Sequence, residues 1–148
     1  MRIRTRMEEN NKIKKENNIN KEANDSEIIQ RSLEALLKEL IKAVPGVKAA
    51  AIVSIEGMPV ISALPEGMAD EKVAATTSML LSLAERAINE MNVGDLEQLS
   101  IQGSISNLFV LTAGQKNVLT ILTEKTVNIG YVFFESERIC DKIDKLIK

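Results

Sequence analysis

Residues 45–63, PGVKAAAIVSIEGMPVISA, decide how this chain folds. Pro45-Gly46 stops a helix, an apolar strand runs to Ser54, and Glu56-Gly57 turns the chain into a second strand, Met58 to Ala63. Glycine suits such a turn because, lacking Cβ, it takes positive φ without a clash. Ala49 to Ile55 is apolar nearly throughout, the pattern of a central strand covered on one side by helices. The small side chains of Ala49, Ala50 and Ala51 imply close helix packing there rather than a cavity. Proline cannot donate to a ladder, so Pro59 places the second strand at a sheet edge. Pro65, Glu66 and Gly67 close that strand and lead into a long helical run.

That run, Met68 to Met91, carries two apolar groups at 100° per residue. Val73, Thr77, Leu80, Leu81, Ala84, Ile88 and Met91 form one stripe facing a core. Thr76, Met79, Leu83 and Ala87 lie to one side of it, flanked by Lys72, Arg86 and Glu90. A helix on the surface of a monomeric sheet needs one stripe. The second either widens a deeply packed face or meets another subunit or partner, and the latter is the reading preferred here.

Working outward, Ile29, Leu33, Leu36, Leu37, Leu40, Ile41 and Val44 share one face of a first helix, with Asp25 or Ser26 available as N-cap. Past the middle helix, Glu97 to Gly103 alternates, Leu99 and Ile101 against Gln98, Ser100 and Gln102. Strands at Asn107–Thr112 and Val118–Leu122 flank the turn Gly114-Gln115-Lys116-Asn117. A last helix, capped by Thr126 or Asn128, turns Ile129, Val132, Phe133, Ser136, Cys140, Ile143 and Ile147 inward. The order is α-β-β-α-β-β-β-α, an α+β sandwich with a five-stranded sheet.

Composition bounds the chemistry. With 148 residues, 45% of them apolar, the chain can bury one core. Residues 25–148 are the expected domain and residues 1–24 a disordered or frayed polar tail. The tail holds seven basic side chains against four acidic ones, a net +3, leaving −5 for the rest of a −2 chain. It lacks an apolar stripe and is rich in asparagine, which reads as a solvated extension or as weak contact with an anionic membrane surface. An acidic folded part with 3% aromatic residues does not suit nucleic acid. No apolar run reaches the length of a membrane span, and Arg2 to Arg6 lead into no signal-peptide core. The single Cys140 allows no internal disulfide and fits a reducing cytoplasm.

No active site is expected. The chain has no histidine, which removes the commonest general base and metal ligand together. It has no GxxxxGK[ST] phosphate loop, no CxxC pair and no GxSxG elbow, so no cofactor or metal is called for. The acidic neighbours Asp70-Glu71, Glu135/Glu137 and Asp141/Asp144 read as capping and solvated charge. Cys140 reads as a small buried hydrophobe.

The chain resembles the Roadblock/dynein light chain family over about Ser32 to Leu146. Pro45-Gly46-Val47 before the first strand, Gly57, Pro59 and Val60 in the hairpin, and Asn128-Ile129-Gly130 at the last helix carry the resemblance in register. It implies a profilin-like antiparallel sheet of order 2-1-5-4-3, with the middle helix on one face and the outer helices on the other. It also implies a dimer, formed with a second copy or a paralogue, joined at the third strand and middle helix. Thr76, Met79, Leu83, Arg86, Ala87, Glu90, Leu99, Ile101 and Gly103 are the positions that would carry that interface. The third strand fits independently: it has no proline or lysine to blunt an edge, and a bare alternating edge invites pairing. A two-fold contact of this kind buries on the order of 1,600 Å². The alternative is a monomer whose own loops cover the strand.

In function, the resemblance implies a platform for small Ras-like GTPases, as in bacterial gliding polarity, where such a dimer speeds GTP hydrolysis. Arg86 is the only arginine placed to act as a finger, although the family generally does not depend on a donated arginine. A scaffold without effect on turnover is the second role implied. A ligand-sensing module of profilin or PAS type is the reading from another class, and it calls for a concave apolar pocket and a monomer.

Overall fold

The structure is a computed structural model describing residues 2–147, with side-chain environments from Asn10 onward. Met1, the side chains of Arg2, Arg4, Arg6, Glu8 and Glu9 counted in the basic tail, and the terminal Lys148 lie outside the described residues. The chain divides into two compact units, Met1–Ser32 and Leu33–Lys148.

The first unit is helical. It belongs to α1, Arg2–Ala43, so the helix does not begin at Asp25 or Ser26 as expected from their capping chemistry. No glycine or proline occurs between residues 2 and 43, and nothing in the backbone forces a stop. Residues 2–24, expected as a disordered or frayed polar tail, lie within this helix. Its side chains from Asn10 to Glu22 are all exposed, and Glu27 pairs with Arg31 one turn on at 2.9 Å.

The second unit contains the end of α1 and then β1 (Val47–Ser54), β2 (Pro59–Ala63), α2 (Asp70–Met91), β3 (Gln98–Gln102), β4 (Ser106–Ala113), β5 (Asn117–Glu124) and α3 (Ile129–Leu146). All strand pairs are antiparallel and the sheet runs β2-β1-β5-β4-β3, as the resemblance implied. β2, with Pro59, is one edge and β3 is the other. At Pro59 the ladder with β1 slips register between Ile52 and Val53, the irregularity expected where a donor is missing.

The β1–β2 turn is held from both sides. Gly57 sits at φ +93, its N–H donates to Ser54 O at 3.0 Å, and Ser78 of α2 donates its hydroxyl to Ile55 O at 2.6 Å. Gly46 at φ +98 ends the α1 turn, and its carbonyl accepts from Glu124 N at 2.7 Å, locking the start of β1 to the end of β5. Asn128, not Thr126, caps α3: its Oδ1 accepts from Tyr131 N at 3.0 Å.

Strand alternation separates two cores. On one face Ala51, Val53, Val110 and Val118 pack with Ala74 and Leu81 of α2. The other alternating set, Ile52, Phe109, Leu111, Leu119 and Ile121, is buried too. There Phe109 meets Phe133 of α3 edge to face, with ring centroids 5.2 Å apart. Besides those of α2, the buried helical residues include Leu33, Leu36, Leu37 and Leu40 of α1 and Val132, Glu135, Ser136, Ile139, Cys140 and Ile143 of α3, and Val44 is buried just past the end of α1.

Charge ties α1 to α3. Arg138 donates to Glu39 at 2.8 Å and to Glu135 at 2.9 Å, and Lys142 reaches Glu39 at 3.2 Å. Glu135, expected as solvated surface charge, is buried. A carboxylate there persists because Arg138, one turn on, gives it two hydrogen bonds. The hydrogen bonds from Lys142 and then Arg138 hold the Glu39 carboxyl below its ordinary value of 4.5. A carboxylate so lowered stabilises the fold above the unfolded value and loses that contribution as pH falls through the folded one. Glu39→Gln is therefore expected to lower Tm at pH 7, with the gap to wild type closing as pH drops below about 4.5. Thermal melts of both proteins between pH 7 and pH 3 check this; a constant gap across the range would contradict it.

Candidate functional site

The surface that stands out is the outer side of α2 together with β3. α2 begins with Asp70 and Glu71, whose charges suit the exposed N–H groups of a first turn. It ends where Asn92 takes φ 55 and ψ 45, and the N–H of Val93 returns to Ile88 O at 3.2 Å. Between these ends Ala74, Thr77 and Leu81 are buried against the sheet, and Val73, Leu80, Ala84 and Ile88 are half-buried. Met91, assigned from sequence to the inward stripe, is exposed: it is the last helical residue, and the chain turns away directly after it.

The second stripe is the notable one. Thr76, Met79, Leu83 and Ala87 are all exposed, Met79 at 71% and Leu83 at 65%. Thr76, Met79, Leu80, Leu83 and Arg86 line a shallow groove along the helix. A wide face packed on its own sheet would have buried these methionine and leucine side chains. Arg86 is not free: its Nε donates to Glu90 at 3.1 Å, one turn on, with both side chains mostly in solvent.

β3 lies at the far edge of the same sheet. Leu99 pairs with Val110 and Ile101 with Leu108, which puts both on the face that α2 covers. Leu99 is half-buried and Ile101 exposed, while Gln98, Ser100 and Gln102 point to the opposite face. Beyond the strand Gly103 N donates to Ser106 O at 2.9 Å, and a Cβ at Gly103 would stand 2.8 Å from that oxygen, so this tight turn needs a residue without one. On its outer side β3 has no neighbouring strand among the described residues.

Sequence reasoning missed part of this surface. Met91, Val93 and Ile105 are large apolar residues left exposed, Ile105 at 80%. Val93 and Ile105 lie outside any periodic run, and only their position in short connections, where no core lies within reach, marks them.

Two reactive side chains of α3 are buried. Burial first, then the charges of Asp141 and Glu137, push the Cys140 thiol up to about 12, so it is not a thiolate nucleophile near neutrality. Glu135 is neutralised by Arg138. Among the described residues no three Cys, Asp or Glu side chains group to hold a metal ion, and no helix is long and apolar enough to cross a membrane.

One feature of the α2 face departs from expectation. Ala49 is fully buried, yet it borders an apolar cleft of about 250 Å³ under the N-terminal half of α2, with Leu64, Met68, Val73, Leu108 and Leu122. Ala49 pairs with Leu122 and so lies on the α2 face of the sheet.

Comparison with known proteins agrees with this architecture. A family profile described as the Roadblock/LC7 domain matches residues 33–123, from the first residue of the second compact unit through nearly all of β5. An uncharacterised protein of Methanocaldococcus jannaschii is 33% identical over 111 residues, 75% of this chain and 96% of that protein. Among solved structures, a Roadblock/LC7 domain from Streptomyces avermitilis superposes with a TM-score of 0.70 at 23% identity, covering 74% of this chain and 92% of that one. An MglB structure described as having a tetrameric arrangement gives 0.73 at 14% identity, covering 80% and 89%. With a profile match over more than half its length, and a relative matched almost from end to end, the chain belongs to the Roadblock/LC7 domain family.

Proposed function

We propose that this protein is a homodimeric regulatory platform for a small Ras-like GTPase, with its subunits joined through α2 and β3. One observation carries the reading: the apolar stripe Met79, Leu83 and Ala87 is exposed on the same molecule that leaves the β3 edge unpaired. Both features cost a solitary molecule something, an apolar patch in water and a row of unpaired N–H and C=O groups. A two-fold partner removes both at once. β3 to β3 pairing makes one ten-stranded sheet, and the two α2 stripes then meet on the same face. A paralogue of like shape could take the place of the second copy.

Such a dimer offers a GTPase a broad, rigid helical surface. Arg86 is held only by an exposed pair with Glu90, and action by repositioning the GTPase's own residues needs no donated arginine. The scaffold reading shares this surface and differs only in leaving turnover unchanged. Single-turnover GTP hydrolysis by each small GTPase of the source organism, with and without this protein, separates them. Acceleration is the expected result for a regulator, and an Arg86→Ala variant is expected to retain most of it. Binding without acceleration would make the protein a scaffold.

A further inference from the structure

We propose that the cleft beneath the N-terminal half of α2 is a binding site for a small amphipathic carboxylate, of the size of a medium-chain acyl acid. The proposal stands on the cleft's own residues and is independent of the GTPase reading. The first observation is its lining. Ala49, Leu64, Met68, Val73, Leu108 and Leu122 supply an apolar wall, and the volume of about 250 Å³ accommodates about eight groups of water size at roughly 30 Å³ each.

The second observation points to a ligand with a polar end. Thr120 lines the cleft and is 3% exposed, yet its Oγ1 has no hydrogen-bond partner. It sits in mid-sheet, opposite Ala51 on one side and Val110 on the other, two residues after Val118, which packs in the cluster under α2. Its side chain thus faces the helix. Burying a hydroxyl without a partner is costly, and native proteins leave few such groups unexplained.

Charge supplies the third. Lys72 also borders the cleft, makes no ion pair among the described residues, and has no carboxylate among the other lining residues. A carboxylate serves both side chains, taking a hydrogen bond from the Thr120 hydroxyl and pairing with the Lys72 ammonium. The apolar chain then lies against Leu64, Met68, Leu108 and Leu122. Thr76 borders both this cleft and the groove on the outside of α2, so an occupant of the cleft and a partner on the helix share a wall.

Titration of the full chain with octanoate, followed by calorimetry and amide NMR, tests the site. Saturable binding half-complete below about 1 mM is expected, with shifts centred on Ala49, Lys72, Thr77 and Thr120. Lys72→Gln is expected to weaken octanoate about tenfold or more while leaving octanol unaffected. Thr120→Val, which keeps the shape and removes the hydroxyl, should weaken octanoate several-fold without loss of fold. Ala49→Leu, filling the cleft, should abolish binding of both. Non-saturating binding, or equal affinity in wild type, Lys72→Gln and Thr120→Val, would overturn the proposal. So would cleft resonances that move with protein concentration and not with octanoate, since a second copy would then be the occupant.

Discussion

Leu83→Glu is expected to turn the proposed dimer into a monomer without changing its helix content. In the single chain Leu83 is 65% exposed, so the substitution costs the subunit's own fold little, within about 0.5 kcal/mol. In the proposed dimer the same side chain is buried twice, once from each subunit. Burying a leucine is worth about 1.5–3 kcal/mol, so the dimer loses about 3–6 kcal/mol, before counting two carboxylates brought into an apolar seam. That corresponds to a dissociation constant raised by roughly 10² to 10⁴-fold. Sedimentation equilibrium gives the stoichiometry and far-ultraviolet circular dichroism the helix content. A variant that remains as dimeric as wild type would place the interface elsewhere on the surface.

The second large effect lies in the core. Phe109 is fully buried on β4, and its ring meets Phe133 of α3 edge to face. Phe109→Ala removes that contact and leaves a cavity between sheet and helix, at a cost of about 3–5 kcal/mol. Against the ~5–15 kcal/mol of a typical domain this is a major fraction, and Tm should fall by about 10 °C or more. Phe134, the next residue after Phe133, is 65% exposed, so Phe134→Ala should shift stability by no more than about 0.5 kcal/mol. Urea unfolding of the two variants beside wild type measures the contrast. Similar losses in both would mean that α3 does not meet the sheet as described.

How much of this was legible in the sequence depends on which residues carry a local rule. Pro59 cannot donate to a ladder, and β2 is an edge strand with slipped register at that residue. Gly46 and Gly57 both sit at positive φ, where the Pro45-Gly46 stop and the Glu56-Gly57 turn were read. The two apolar groups of the middle helix separate in the structure, one side against the sheet and the other exposed. These are one- or two-residue signals with a single physical meaning.

The rest depended on distances the sequence does not contain. Asp25 and Ser26 are good caps, but a cap residue does not start a helix where the preceding chain has nothing to break it. Glu135 and Glu137 look alike as letters on one helix; only the position of Arg138 makes the first a buried ion-paired group. Ala49 is ambiguous in the same manner, since a small side chain permits either close approach or empty space. In the structure Ala49 is fully buried and borders a cleft, which the buried, unpartnered Thr120 also lines. Met91 shows the limit of periodicity, which assigns a face but not whether the sheet extends beneath the last turn.

Binding of this protein to the small GTPases of its source organism, each loaded in turn with a non-hydrolysable GTP analogue and with GDP, bears most directly on its role. Tight binding to the GTP form of at least one of them, weaker to the GDP form, is expected. Absence of binding to any of them in either state would contradict the platform reading at its root.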